Sequence, residues 1–201
     1  MKSATFLLTL FLIAGLFGFS INQIDITSCF INFDKALKLS MASPQRLPET
    51  AEKVRRLPTE NGEVEVSRID GYRILYNNKK NAPFVNLKVE LSDPSSYGKD
   101  TINILKNLEY LNSHGTNMET KALVELNFNG YRFYGISRNS IETGSTLGSF
   151  VMFPGENLIV YVDFNNLKPE FRNFQNLDEY KSQRNLFLGE YANHLNRCSG
   201  K

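Results

Sequence analysis

Along much of the chain, apolar and polar residues alternate with a period near two, and Asn, Gly and Pro punctuate the runs. That is the pattern of paired strands. The clearest case is "ALVELNFNGYRFYGISR", where Asn129-Gly130 suits a type I′ hairpin turn, both central residues of which need positive φ. Pairing Phe128 with Tyr131 sets Leu126 opposite Phe133 and Val124 opposite Gly135 on one side. The other side pairs Asn127 with Arg132 and Glu125 with Tyr134. One face is therefore apolar and the other mostly polar. A second stretch, "EVEVSRIDGYRILY", has the same form around Asp70-Gly71. A two-residue turn there sets Arg68 against Arg73, a like-charge pair that calls for a longer turn or a nearby acid. The third, "GSFVMFPGENLIVYVDF", joins two β-prone runs through Pro154 to Asn157, with Pro-Gly at the centre of a type II turn. Its second run, Leu158 to Phe164, is apolar enough to be central in a sheet. "FVNLKVELS" supplies a further strand, ending near Asp93-Pro94.

Elsewhere the spacing turns helical. In "CFINFDKALKLSMA" the apolar positions Phe30, Phe33, Leu37 and Met41 fall three and four apart, which predicts a short amphipathic helix capped by Thr27 or Ser28. Ile104, Leu105, Leu108 and Leu111 mark one face of a second helix, which Gly115 stops. A last helix begins at the cap Asn176, with Glu179 placed as in a capping box, and carries the stripe Tyr180, Phe187, Tyr191, Leu195. Between the first helix and the first strand, "ASPQRLPETAEKVRRLPTENGE" holds Pro44, Pro48, Pro58 and an Asn61-Gly62 turn signal, and reads as a linker or surface-hugging loop.

The predicted order is a leader over residues 1–20, an N-terminal amphipathic helix over 21–41, a Pro-rich linker over 42–62 and an α+β domain over 63–201. The domain is expected to hold a central antiparallel sheet of about six or seven strands flanked by helices, an α/β/α sandwich.

The leader changes the reading of the rest. Lys2 precedes an apolar core from Phe6 to Phe19, with Gly18 and Ser20 following the pattern of a signal peptide cut after Ser20. An uncut membrane anchor is the alternative, but a spanning helix needs roughly 20 apolar residues and this run is shorter. Without the leader, no stable membrane span is expected. Export to a periplasm or the extracellular space follows, and the absence of Asn-x-Ser/Thr sequons leans towards a bacterial source. The formal net charge of +2, which cleavage would lower by Lys2, is not that of a nucleic-acid binder. The basic pairs Arg55-Arg56 and Lys79-Lys80 read as solvated loop, with Arg55-Arg56 a processing site only if the linker is mobile.

In an oxidising compartment an even cysteine count invites a disulfide. Cys29 opens the first helix, whose Phe33 and Leu37 face inward. Counting on from Tyr191 by four and then three gives Leu195 and Cys198, on the buried side of the last helix. A Cys29–Cys198 bond between the two ends is therefore expected, and two buried free thiols are the alternative. Chain-entropy scaling puts the gain of so long a closed loop at about 5 kcal/mol as an upper figure.

Candidate chemistry is sparse. His114 stands at a helix end, where it suits the carbonyl dipole, and His194 lies within the last helix. There is no GxSxG elbow, no HExxH, no close cysteine pair and no EF-hand loop, so no metal or cofactor site is expected. "ETGSTLGSF", with Gly144 and Gly148, lacks the Lys-Ser/Thr ending of a phosphate loop and reads as a turn. Asp178-Glu179 suit a helix N-terminus. Acids can converge in space from anywhere, which is all that glycosidase chemistry needs. The chain has 15 Phe, 9 Tyr and no Trp. Tyr72, Tyr76, Tyr134 and Tyr161 lie in strands. On an outer face they suggest a protein partner or a small apolar ligand; otherwise they lie beneath the helices.

From about Glu63 to Cys198 the element order and the texture of "GYRILYNN", "VNLKVELSDPSSY", "NGYRFYGISR" and "FVMFPGENLIVYVDF" resemble the PsbP/Mog1-like group. The resemblance implies an antiparallel sheet between helical layers and a binding or assembly role without catalysis. It carries over no functional residue. The reading that follows is an exported, non-catalytic binding or accessory protein of unknown partner. The alternatives are an envelope hydrolase using convergent carboxylates, or a membrane-anchored protein that keeps its leader.

Overall fold

The computed structural model describes residues 26–33, 37–48, 53–114, 121–142 and 144–198. Ten strands and two α-helices follow a 3-10 turn at Ile26–Cys29. They are β1 (Ser40–Met41), β2 (Gln45–Arg46), β3 (Val54–Thr59), β4 (Gly62–Ser67), β5 (Asp70–Asn77), β6 (Pro83–Leu91), α1 (Tyr97–His114), β7 (Lys121–Phe128), β8 (Tyr131–Arg138), β9 (Thr146–Gly155), β10 (Leu158–Asn165) and α2 (Leu177–Cys198). The protein is α+β. An 8-stranded antiparallel sheet runs β1-β5-β6-β10-β9-β8-β7, with β2 also on β5, and β3–β4 form a separate 2-stranded sheet. The predicted leader over residues 1–20 lies outside the described residues, as do Gly115 and the side chains of Thr27, Ser28 and Cys198.

One sheet face packs on α2. Tyr180, Phe187, Leu188, Tyr191, Ala192 and Leu195 of α2 are fully buried, as the predicted stripe requires. Phe187 sits at the centre of an aromatic cluster, with ring centroids 4.5 Å from Phe33, 5.5 Å from Tyr76 and 5.7 Å from Phe164. The helix starts as expected. Asn176 Oδ1 accepts the Glu179 N–H at 2.9 Å, and the Glu179 carboxylate reaches back to the Gln175 N–H at 2.7 Å.

The other face is covered by α1 and the β3–β4 hairpin over Val66, Ile104, Val151 and Ile159. The buried side of α1 is more polar than its leucine stripe suggests. Asp100, Asn103 and Asn107 are buried beside Ile104, whereas Leu111 is exposed. The asparagines dock the hairpin, Asn103 Nδ2 donating to the Glu65 carbonyl and Asn107 Nδ2 to the Pro58 carbonyl, each at 2.8 Å. A buried amide needs such partners, and the strand edges of the hairpin provide them.

The β7–β8 hairpin has the predicted register, from Phe128↔Tyr131 to Val124↔Gly135. Asn129 and Gly130 take φ of 52° and 83°, the mirror-image turn that matches strand twist. Likewise β10 lies in the middle of the sheet, between β6 and β9.

Four expectations need correction. The described residues of the predicted helix over 21–41 are not α-helical: after the 3-10 turn, residues 30–33 and 37–39 run irregularly into β1, with Lys38 at φ 55°. Tertiary pairing overrides the helical spacing here, because this segment covers the edge of β5, Ser40↔Asn77 and Met41↔Tyr76, while Phe33 plugs the core. The described residues of the linker over 42–62 are likewise part of the body. They hold β2, paired Gln45↔Arg73 and Arg46↔Tyr72, and the whole of β3.

Asp70-Gly71 is no hairpin turn, since β4 pairs with β3 and β5 with β6. Gly71 is there for close approach: a Cβ would lie 2.9 Å from Leu47 Cδ1 and 3.1 Å from the Val89 carbonyl. Asp70 instead pairs with Arg46, Nε to Oδ1 at 3.0 Å. Finally, the β9–β10 turn centres on Glu156-Asn157, both at positive φ, which leaves Pro154-Gly155 within the end of β9.

Candidate functional site

The tyrosines that sequence left open between an outer face and a packed one are packed. Tyr76 is fully buried and Tyr72 partly so on the α2 side. Tyr134 and Tyr161 pack against the Val66–Ile104 cluster on the other. Exposed apolar side chains lie elsewhere, among them Ile69, Ile102 and Leu123. Beside α1, a groove of about 360 Å³ is lined by Leu105, Leu108, Leu123 and Tyr134, with Glu109 and Glu125 also lining it. Leu123 is 46% exposed. It follows from the hairpin register: one pair beyond Glu125↔Tyr134 on the polar face comes Leu123↔Ile136. That signal was present in the sequence, two residues past the point where the polar pattern looked settled. The leucines of α1 reach the groove because Asp100, Asn103 and Asn107 turn inward instead.

A second cleft, of about 350 Å³, lies between the β3–β4 tip and the C-terminal half of α1. Its lining includes Glu60, Glu109, Lys106, Tyr110 and Ser113. His114 stands beside it. Its Nδ1 lies 2.9 Å from Ser113 Oγ and 3.4 Å from Glu60 Oε2, and its ring stacks on Tyr110 at 4.4 Å. A serine and a carboxylate on the same ring nitrogen do not make a catalytic relay, which needs them on opposite nitrogens.

Two buried acids are engaged by several partners each. Asp100 Oδ2 accepts the hydroxyls of Ser92 at 2.5 Å, Ser67 at 2.7 Å and Ser96 at 2.8 Å, which fastens the start of α1 to the ends of β4 and β6. Glu90 lies between Arg55, Nη2 to Oε2 at 2.7 Å, and Lys88, Nζ to Oε1 at 3.2 Å. Arg55 also donates to the Tyr161 hydroxyl at 2.6 Å. Arg55 is thus a half-buried ion-pair partner in β3 and not part of a solvated loop, while Arg56 is exposed beside Glu65. Burial holds the Lys88 ammonium below its ordinary range against the opposing pull of Glu90, and burial pushes the Tyr161 hydroxyl up. These groups were invisible in the sequence because their partners come from four separate strands and a helix.

Arg184 is a further buried cation, 5.5 Å from the Phe150 ring centroid and 5.8 Å from that of Tyr180. Its guanidinium donates to Ser137 Oγ at 3.0 Å and to Asn185 Oδ1. Burial lowers its pKa. The carboxylates whose titration is displaced move down. Burial raises that of Asp70, but Arg46 and the Gly71 N–H outweigh it; Ser95 holds Asp93 low.

Cys29 is fully buried in the α2-side core, and no cysteine is free among the described residues. Cys198 closes α2. His194 is half-buried on α2, and Lys79-Lys80 are exposed in the β5–β6 turn. Gly144, at φ 85°, sits against the Arg138 guanidinium in the loop before β9. Among the described residues no group of three metal-ligating side chains converges, and no helix is long and apolar enough to cross a membrane. Comparison with known proteins finds no matching family model, no matching curated protein and no matching solved structure.

Proposed function

We propose that the protein is an exported, non-catalytic binding or accessory protein, in keeping with its PsbP-like strand texture. The observation that carries this reading is the apolar groove beside α1, where Leu123 stands half out of the fold next to Leu105 and Leu108. Exposed apolar surface beside charged rims is what a protein partner or an apolar ligand covers. The interior acids are in keeping with the same reading, because Glu90 is held by two cations and Asp100 by three serine hydroxyls, contacts that fasten the fold together.

Export goes with a Cys29–Cys198 bond that ties the buried Cys29 to the end of α2. Native mass spectrometry of the protein purified from its host's envelope tests all three elements together. A trimmed N-terminus, a mass short by one hydrogen per thiol, and an added mass that leaves on denaturation and is lost in Leu123→Asp are the expected results. An uncut chain with free thiols overturns export and favours the membrane-anchored alternative. A bare monomer whose Leu123→Asp variant behaves identically overturns the groove.

The hydrolase alternative has one place to stand, the cleft that brings Glu60 and Glu109 to a common lining. Hydrolysis of a glycan panel that is abolished by Glu60→Gln and Glu109→Gln favours it over binding.

A further inference from the structure

The outer edge of β7 has a property that neither its groove nor its sequence neighbours explain. The two-residue turn at Asn129-Gly130 makes Phe128↔Tyr131 a hydrogen-bonded pair, and the pairs alternate from there without a register shift. Phe128, Leu126, Val124 and Ala122 therefore bond to β8. Lys121, Leu123, Glu125 and Asn127 point their backbone N–H and C=O groups away from it. Among the described residues β7 pairs with β8 alone and ends the sheet. It is eight residues long and carries no bulge or proline, and its two charges, Lys121 and Glu125, are of opposite sign.

We propose that this edge joins a second copy of the same chain, β7 to β7, as an antiparallel two-fold pair centred on Leu123. Centring there sets Leu123 opposite Leu123 of the partner subunit, and Lys121 opposite Glu125 of the partner subunit, twice over by symmetry. Each of these positions has its hydrogen-bonding groups facing outward, so the backbone pattern and the charge pattern select the same register. Centring on Glu125 or on Lys121 instead opposes like charges, which disfavours those registers. A self-complementary strip is what an isologous interface requires.

The side chains involved are available. Leu123 is 46% exposed. Among the described residues Glu125 makes a 3.7 Å surface contact to Arg132, and the Lys121 ammonium gives one donor to the Leu111 carbonyl at 2.6 Å, out of the three it carries. A two-fold axis normal to the sheet keeps both α1 helices on one side. The two apolar grooves then flank the paired leucines and form one longer trough. The inference stands on the edge, and it survives if no ligand enters the groove.

The test is sedimentation velocity on the protein as its host makes it, beside Lys121→Glu, Glu125→Lys and the double exchange. The parent is expected to sediment as a dimer. Each single exchange sets like charges opposite one another twice and weakens association by about tenfold or more, and the double exchange restores it. Leu123→Lys, which opposes two ammonium groups at the axis, is expected to give a monomer with an unchanged circular dichroism spectrum and a thermal midpoint that no longer rises with protein concentration. A monomeric parent at every concentration overturns the proposal. So does a dimer indifferent to both single exchanges, or one that the double exchange fails to rescue.

Discussion

At one edge of the large sheet, β5 is sheathed by the chain's own residues 40–47; at the other, β7 pairs only with β8 among the described residues. The covered edge is built from long-range pieces. The Ala42 N–H donates to the Leu75 carbonyl at 2.9 Å and the Leu47 N–H to the Gly71 carbonyl at 2.8 Å, and Phe33 anchors the strap in the aromatic core. The uncovered edge is a local hairpin, whose shape follows from its own turn. One sheet thus shows both answers to the same problem of unpaired backbone. An edge covered by the same chain is part of stability, whereas an edge left bare in one copy is available for association.

The sharpest way to break the contrast is Phe33→Ala. Phe33 is buried against Phe187 and Tyr76, and its removal is expected to cost about 3–5 kcal/mol and to loosen the strap. Urea unfolding measures the first and limited proteolysis between residues 40 and 48 the second; a loss below about 1 kcal/mol means that the strap is held by something else. Next comes Gly71→Val. The added side chain meets Leu47 and the Val89 backbone, so a loss of about 1–3 kcal/mol is expected, with β2 displaced first, as amide exchange at Leu47 reports.

Arg46→Ala acts on the same edge more weakly, because Arg46 is 56% exposed. The expected loss is about 0.2–1 kcal/mol at neutral pH. Its pH dependence has a definite sign. The folded pKa of Asp70 lies below its ordinary value of 3.8, so the contribution is present above that value and fades as pH falls through the folded pKa. Parent and variant should converge in acid; a gap that widens there contradicts the Asp70 assignment. The smallest effect belongs to the other edge: Leu123→Ala is expected to stay within about 0.5 kcal/mol in a monomeric background. A larger loss there means that Leu123 is a core residue and the edge is not spare.

What the sequence determined by itself is whatever depends on neighbours in the chain. The β7–β8 register, the Asn129-Gly130 turn, the Asn176–Glu179 cap and the buried stripe of α2 all rest on period and turn chemistry within a few residues. The α+β class followed from their order. Tertiary structure decided the rest, and for one physical reason: in those places the partners are far apart in sequence. Residues 30–41 carry helical spacing, yet the described ones run irregularly past a single turn closed by the Leu37 N–H on the Phe33 carbonyl, and Ser40 and Met41 find their backbone partners on the edge of β5. Asp70-Gly71 carries a turn signal, yet the glycine is needed where Leu47 and Val89 press close. Arg55 looks like half of a solvated basic pair until Glu90 and Tyr161 arrive from other strands. Leu105 and Leu108 read as part of a core stripe, and line a groove because Asp100 and two asparagines take the buried face beside Ile104, where they find their hydrogen bonds. Local rules pick the elements; which of their faces is buried depends on whose polar groups find partners when the sheet closes over them.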